Sequence, residues 1–180
     1  MNPRGSALLI LAAAGAGLLM LGSRRGAQSP DAAALDPAAA GSGALATAPL
    51  VGPPPAEGVI QVFKSPTCGC CGAWIDHLEE AGFRVEVVDT PNMLAVKGEL
   101  GLPGELASCH TARIAGYLVE GHVPARDIQR MLLDRPDIRG LAVPGMPVGS
   151  PGMEVPGQAA DPYDVVAFDA RGQTSVYARH

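Results

Sequence analysis

VIQVFKSPTCGCCGAWIDHLEEAGFRVEVVD, residues 59–89, has the pattern of a strand, a helix and a second strand. The apolar run VIQVFK is rich in β-formers and stops at Ser65 and Pro66, as a central strand does. Four apolar residues then recur at helical spacing: Trp74, Ile75, Leu78 and Ala81. Gly82 follows them at the position where glycine commonly ends a helix. FRVEVVD, residues 83–89, predicts a second strand, so the unit is of the parallel strand, helix, strand type.

The following fifty residues predict two more helices and a hairpin. Thr90 as N-cap and Pro91 in the first turn open a helix that ends at Gly101. TARI and YLVE, residues 111–114 and 117–120, flank the turn pair Ala-Gly and predict a hairpin. Pro124 opens a third helix that closes at Arg135. The order β, α, β, α, β, β, α is that of the thioredoxin and glutaredoxin architecture, so the predicted fold class is α/β and thioredoxin/glutaredoxin-like.

Two further segments extend this architecture at the C-terminal end. Residues 139–162, RGLAVPGMPVGSPGMEVPGQAADP, predict a long Pro/Gly-rich loop. A structureless loop of that length is usually functional or mobile, and we interpret it as a covering flap. YDVVAFDARGQTSVYAR, residues 163–179, predicts an extra β-hairpin.

The N-terminal third predicts export. Arg4 precedes an apolar run, Ser6 to Gly22, that carries no charge. Residues 1–25 are therefore either a cleaved signal peptide or a single N-terminal membrane anchor, and a buried core helix is the weaker reading. Residues 26–58 form an Ala/Pro/Gly-rich linker that we expect to be disordered, which leaves residues 59–180 as the folded domain. The expected location is periplasmic or otherwise exported, where thiols oxidise unless something holds them.

Composition narrows the function classes. The 180-residue chain has a formal net charge of −5, and no Lys/Arg cluster occurs in the predicted folded part, so we expect no nucleic-acid partner. Neither a G-x-S-x-G motif nor a phosphate-binding loop is present, which leaves no hydrolase or nucleotide chemistry to infer.

The chemistry is carried by the four cysteines. Cys68 and Cys71 have C-x-x-C spacing at the predicted start of a helix, where unpaired N–H groups and the helix dipole favour a thiolate. Cys70 adds a third sulfur for which a simple dithiol exchanger has no use. Cys109 lies in LASCHTARI, just before the predicted hairpin, and in glutaredoxin-like folds that segment faces the dithiol. We therefore expect Cys109 to meet the other three.

Four converging sulfurs favour soft metals, namely Cu(I), Zn²⁺ or iron–sulfur clusters. Adjacent Cys70 and Cys71 cannot easily both point at one tetrahedral ion, which favours a cluster of several Cu(I) ions, whereas a zinc site more often shows two separated C-x-x-C pairs. Two alternatives stay open. One is a pair of structural disulfides in an exported protein, and the other is a thiol–disulfide oxidoreductase that uses Cys68 and Cys71.

Histidines and methionines are auxiliary candidates. His110 beside Cys109 is a candidate ligand, proton relay or hydrogen-bond donor to a ligand, with a bond to loop backbone as the alternative. His122 is expected to orient a turn, with a metal role as the alternative. Met146 and Met153 carry thioethers that bind Cu(I), although apolar contacts that pin the loop are the simpler interpretation.

Three other residues are expected to serve elsewhere in the domain. Trp74 is predicted to lie in the core. His77 is expected to be solvated, and His180 at the terminus is expected to be disordered.

Three segments, FKSPTCGCCGAW, SCHTARIAGYLVEGHVPARDI and RGLAVPGMPVGSPGME, resemble the CopG-like family of exported thioredoxin-fold proteins, often described only as a metal-binding domain of unknown function. The resemblance spans residues 59–180. It implies a periplasmic copper-resistance protein in which Cys68, Cys70, Cys71 and Cys109 hold a multinuclear copper cluster. It also implies redox activity on copper.

The prediction is therefore a metal-binding protein, with the oxidoreductase as the rival class. Its expected partners are copper ions and other envelope copper-handling proteins. Contact with the membrane is expected only through an N-terminal anchor.

Overall fold

The structure, a computed structural model, describes residues 49–180. The predicted signal peptide or anchor and most of the predicted linker, residues 26–48, lie outside the described residues. Within residues 49–180, no helix is both long enough and apolar enough to span a membrane.

The described chain is a mixed α/β structure with seven strands in one sheet and three α-helices. The strands are β1 (Val59–Lys64), β2 (Arg84–Asp89), β3 (Thr111–Ile114), β4 (Tyr117–Glu120), β5 (Gly140–Ala142), β6 (Asp164–Phe168) and β7 (Thr174–Arg179), and the helices are α1 (Gly69–Glu80), α2 (Met93–Glu99) and α3 (Ala125–Asp134). The order in the sheet is β2-β1-β3-β4-β5-β6-β7. β1 pairs in parallel with β2, and β4 with β5, while the other neighbours are antiparallel.

The β1–α1–β2 unit forms as predicted. α1 turns its apolar stripe inward and buries Cys71, Trp74, Ile75 and Leu78. Gly82 then adopts φ +91°, a left-handed conformation that glycine tolerates at low cost, and its N–H bonds the Glu79 carbonyl. The chain thereby reverses within three residues, 81–83, and runs back as β2, parallel to β1.

The element order from β1 to α3 agrees with the predicted order, but the start of α2 differs. The N-cap of α2 is Asn92, and α2 begins at Met93. The Thr90 hydroxyl instead accepts a hydrogen bond from the backbone N–H of Asn92 at 3.1 Å, which fixes the turn before the helix. The prediction of Thr90 as N-cap is therefore wrong by two residues.

The stretch predicted as one structureless loop, residues 139–162, begins with strand β5. This strand of three residues pairs in parallel with β4 and carries the sheet on to β6. A Cβ at Gly140 would lie 2.1 Å from the Leu118 carbonyl oxygen, so only glycine allows the two backbones to approach so closely. In the described stretch between Ala142 and Asp164 there is no further helix or strand.

Two apolar clusters cover the sheet. The first joins α1 and α3 and includes Trp74 and Ile128, whereas the second involves α2 and includes Phe63 and Phe168. Successive side chains of a strand point to opposite faces, which is why Val62 belongs to the first cluster and Phe63 to the second. Strand pairing brings four chain ends together at one edge of the sheet: the end of β1, the start of α1, the start of β3 and the end of β4.

Candidate metal centre

The four cysteines converge at this edge. Phe63 near the end of β1 pairs with Thr111 at the start of β3, so the residue two positions before Thr111 lies beside the loop that follows β1. That residue is Cys109. Its Sγ and those of Cys68, Cys70 and Cys71 all lie within 4.8 Å of one another. Cys71 is buried and the other three are half-buried.

Two of the four sulfurs are joined to each other. Cys68 and Cys71 form a disulfide across the first turn of α1, with their Cα atoms 5.4 Å apart. Cys70 and Cys109 are free thiols within residues 49–180, which contain all the cysteines of the chain. The Sγ atoms of Cys68 and Cys70 are 3.5 Å apart. The structure thus contains one half of the site in an oxidised state and the other half reduced.

The electrostatic settings of the thiols differ. Cys68, one half of the disulfide, is the N-cap of α1, and the free thiol of Cys70 lies in the first turn of that helix. Burial, followed by the charge of Cys70, raises the pKa of the Cys109 thiol to about 12. This thiol therefore keeps its proton at neutral pH, and a metal ion that binds its sulfur must displace that proton.

Two histidines also contact Cys109. The Cys109 Sγ lies 3.2 Å from Nδ1 of His110 and 3.1 Å from Nε2 of His122. Both imidazoles are fully buried. Burial, then the neighbouring His122 and Lys97, lowers the pKa of His110 to about 3, and burial also lowers the pKa of His122. Both rings are therefore neutral at physiological pH, which is the form that binds metals.

The loop between β5 and β6 touches the site through its backbone. His122 Nδ1 bonds the Pro151 carbonyl at 2.8 Å. Gly152, at φ +81°, lies so close to α1 that a Cβ there would be 2.8 Å from the Cys70 carbonyl oxygen. Met146 on the same loop is exposed and Met153 is half-buried. Their role as auxiliary copper ligands stays a prediction.

A buried ion pair supports the Cys109 segment from behind, and sequence reasoning missed it. Glu120 is fully buried, and its carboxylate accepts hydrogen bonds from Lys97 Nζ and the Ser108 backbone N–H, each at 2.5 Å. Its second oxygen accepts the Thr111 hydroxyl at 2.6 Å. Burial raises the pKa of the Glu120 carboxyl, while Lys97 opposes that shift. One carboxylate thereby holds both ends of the segment that carries Cys109 and His110.

The sequence positions of Lys97 and Glu120 could have predicted this ion pair. Lys97 falls on the apolar face of α2, at the i+4 position from Met93, and Glu120 falls on the same strand face as Leu118. Opposite charges on two inward faces predict an ion pair that the fold brings together.

Three expectations outside the cysteine cluster are also resolved. Trp74 is fully buried as predicted, its Nε1 donates to the Val123 carbonyl at 2.9 Å, and its ring centroid is 4.3 Å from that of His110. His77 is not simply solvated, because its Nε2 accepts the Ala125 N–H at 3.0 Å. The expectation that His180 is disordered is wrong, since its Nε2 lies 2.8 Å from Asp127 on α3.

The fold and this site define an α/β protein with a cysteine-rich candidate centre for a soft metal. Two solved structures, "Copper resistance protein copG- Form 1" and "Copper resistance protein copG- Form 2", are each 52% identical to the chain with a TM-score of 0.64. Each match covers 68% of this chain, and 96% and 97% of the respective solved chains. The chain belongs to this CopG-like copper-resistance family.

A family model gives a narrower match. The model described as "Protein of unknown function, DUF411" matches residues 106–153. The matched region contains Cys109 and both buried histidines, but not the cysteines of α1. No curated protein matches the chain.

Proposed function

We propose that the chain binds Cu(I) through Cys68, Cys70, Cys71 and Cys109 and acts in copper resistance. The observation that carries this proposal is the convergence of the four sulfurs, all within 4.8 Å of one another. Thiolates are the ligands that Cu(I) prefers in proteins. Both solved relatives are named as copper resistance proteins, which supports copper as the metal.

Sulfur geometry supports more than one ion. Metal–sulfur bonds of about 2.3 Å at tetrahedral angles put two ligand sulfurs roughly 3.8 Å apart. The four sulfurs lie within 4.8 Å of one another, so opening the Cys68–Cys71 disulfide leaves them close to this spacing. Cys70 and Cys71 are neighbours on the first turn of α1, however, and cannot both face one ion without strain. Bridging sulfurs shared by several Cu(I) ions remove that conflict, and we therefore favour a multinuclear cluster.

Because Cys68 and Cys71 form a disulfide, the chain can bind the proposed copper cluster through all four cysteines only after that disulfide is reduced. Opening it takes two electrons from a thiol reductant, which becomes a disulfide itself, and yields two thiols that lose their protons when they bind copper. The reduced chain then offers four sulfurs, whereas the oxidised chain offers two free thiols. The rival function of thiol–disulfide exchange has no support from the comparisons, and we do not favour it.

The proposal also includes a thioredoxin-like fold and a periplasmic location. The order β1–α1–β2–α2–β3–β4–α3, with sheet order β2-β1-β3-β4, supports a thioredoxin-like core to which β5, β6 and β7 are added. We include export by residues 1–25, a tether of residues 26–58 and a periplasmic domain of residues 59–180. Redox activity on copper and exchange with other envelope copper-handling proteins belong to the same proposal.

Anaerobic Cu(I) titration of the reduced full-length protein tests the function. We expect more than one Cu(I) per chain, and we expect Cys70→Ser to lower that number. His77→Gln is the matched control, because His77 caps α3 and lies outside the cysteine cluster. Saturation at one Cu(I) would contradict the multinuclear form, and no uptake would contradict the function itself.

A further inference from the structure

A cavity of about 800 Å³ lies at the end of the sheet opposite the cysteines. Its lining includes Gly58, which precedes β1, and Ile114, which ends β3, whereas the cysteines follow β1 and precede β3. Small-molecule sites in proteins have volumes of about 300–1,000 Å³. We propose that this cavity binds a small organic anion that has an apolar body and a carboxylate or phosphate head group.

One wall of the cavity is a strap formed by residues 50–58, which the domain holds at three places. The carboxylate of Glu99 accepts two backbone N–H groups at the start of the strap, at 3.2 and 3.0 Å. Arg113 and Arg84 donate from Nη2 to backbone carbonyls in its middle and near its end, each at 2.8 Å. Because side chains of the domain hold the strap, a ligand meets a wall that is already in place.

Much of the remaining lining is apolar. Ile114 and Leu118 are buried, and Leu132 and Tyr117 are half-buried. The Tyr117 hydroxyl donates to the Pro136 carbonyl at 3.0 Å, which fixes the position of the ring. An apolar ligand body would cover these side chains and displace water from them, which is favourable.

The charged residues of the lining are mainly cationic. Three are arginines, Arg113, Arg135 and Arg139, and Glu57 is the one acidic residue among the described residues of the lining. Three positive charges less one negative charge give the lining a formal charge of +2, whereas the whole chain has a formal net charge of −5. A recess lined by one predominant sign of charge concentrates ligands of the opposite sign.

Arg139 gives an independent indication of an anion. Neither Arg139 nor Arg135 forms an ion pair with any of residues 49–180. Arg139 is half-buried, and it donates to the carbonyls of Leu100 at 3.1 Å and Gly116 at 3.4 Å. These two bonds fix the guanidinium and use two of its five N–H donors. Charges withdrawn from water are usually paired, and the guanidinium fork matches the oxygens of a carboxylate or phosphate.

Isothermal titration calorimetry of the full-length protein with 2-naphthoate tests the site. We expect one 2-naphthoate per chain. The neutral analogue 2-naphthamide has the same apolar body and should bind at least about tenfold more weakly, because it lacks the charge-assisted hydrogen bonds. The same titration with 2-naphthyl phosphate shows which head group binds more tightly.

Arginine variants identify the residues that bind the head group. Arg139→Gln should weaken 2-naphthoate binding about tenfold and leave 2-naphthamide binding unchanged. Arg135→Gln should also weaken 2-naphthoate selectively. Arg171→Gln is the matched control, since Arg171 is exposed in the turn after β6 and is not part of the lining. Equal affinities for 2-naphthoate and 2-naphthamide, or an unchanged affinity for 2-naphthoate in Arg139→Gln, would overturn the site.

Amide chemical-shift mapping on the wild-type protein needs no variant. Addition of 2-naphthoate should shift the amide signals of Leu100, Tyr117 and Leu132 and leave that of Cys109 in place. Shifts confined to residues outside the lining, or no binding of either naphthyl anion, would also refute the proposal. Cu(I) uptake by Arg139→Gln should equal that of the wild-type protein, so the copper function and the anion site stand or fall separately.

Discussion

The carboxylate of Glu120 accepts the backbone N–H of Ser108 at 2.5 Å, one residue before Cys109. The same carboxylate accepts the hydroxyl of Thr111, so it brackets the Cys109–His110 pair from both sides. Lys97 neutralises it in the interior. Removing two charges from water is expensive, and such pairs seldom add stability over apolar residues. We interpret this one as a device that holds Cys109 in place against α1.

Glu120→Ala should destabilise the protein by about 3–5 kcal/mol, because it leaves the Lys97 ammonium buried without its counter-charge. The free energy of unfolding in urea measures this. The pair Lys64–Asp89 is the matched control, since Asp89 is half exposed and its ion pair is screened by solvent. Asp89→Ala should cost at most about 1 kcal/mol. Equal losses in the two variants would refute the structural role of Glu120.

Gly152→Ala should push the loop between β5 and β6 away from α1. A Cβ at this position would lie 2.7 Å from the Trp74 backbone nitrogen. Gly157 is the control because it has the same φ of +81° but nothing within 4 Å of an added Cβ. Both variants bear the strain of a left-handed alanine, so the difference between their unfolding free energies isolates the collision, at about 1–3 kcal/mol. Indistinguishable values would mean that the loop yields freely.

His77→Ala should lower stability by about 0.5–2 kcal/mol, which is the usual cost of losing a helix N-terminal cap. α3 has no other side-chain cap, since its N-cap is Pro124, and His77 alone accepts the Ala125 N–H among the described residues. His77→Gln keeps an acceptor of similar reach and should recover most of the loss. Thermal unfolding compares the two, and an equal loss in both variants would refute a capping role.

Local patterns predicted the elements of the fold because each carries its own signal. The β1 strand has the bounds that its apolar run predicts, and α1 buries three of the four residues that recur at helical spacing, Trp74, Ile75 and Leu78. The fourth, Ala81, is the half-buried C-cap residue after the helix. β5 could not be predicted in this way. It has three residues and exists because Gly140 lets its backbone approach β4, which is a tertiary effect.

The candidate site also has one feature that the sequence predicted and one that it could not predict. Convergence of Cys109 with the α1 cysteines followed from topology, since β3 runs antiparallel to β1 and starts where β1 ends. The hydrogen bond of His122 to Pro151 depends on the path of a loop that has no periodic pattern, and no sequence rule predicts it. The assignment of the four cysteines as ligands remains a prediction that metal analysis must test.

Removal of copper in air should produce one particular disulfide. Cys68 and Cys71 lie on one helical turn with Cα atoms 5.4 Å apart, inside the range that a disulfide requires. The two thiols lose two electrons and two protons to dioxygen, which becomes hydrogen peroxide. Cys109 is held instead by its contacts with His110 and His122.

Chelation of copper followed by alkylation and peptide mass spectrometry should therefore find two modified residues, Cys70 and Cys109. The copper-loaded protein, denatured and alkylated without oxygen, should give four. Cys71→Ser provides the control, because this variant cannot form the Cys68–Cys71 disulfide. Its Cys109 should still be alkylated, but its alkylated peptides should be a less uniform mixture than those of the wild-type protein. A dominant Cys70–Cys109 disulfide in the wild-type protein would contradict the assignment of Cys68 and Cys71 as the pair that oxidises when copper is removed.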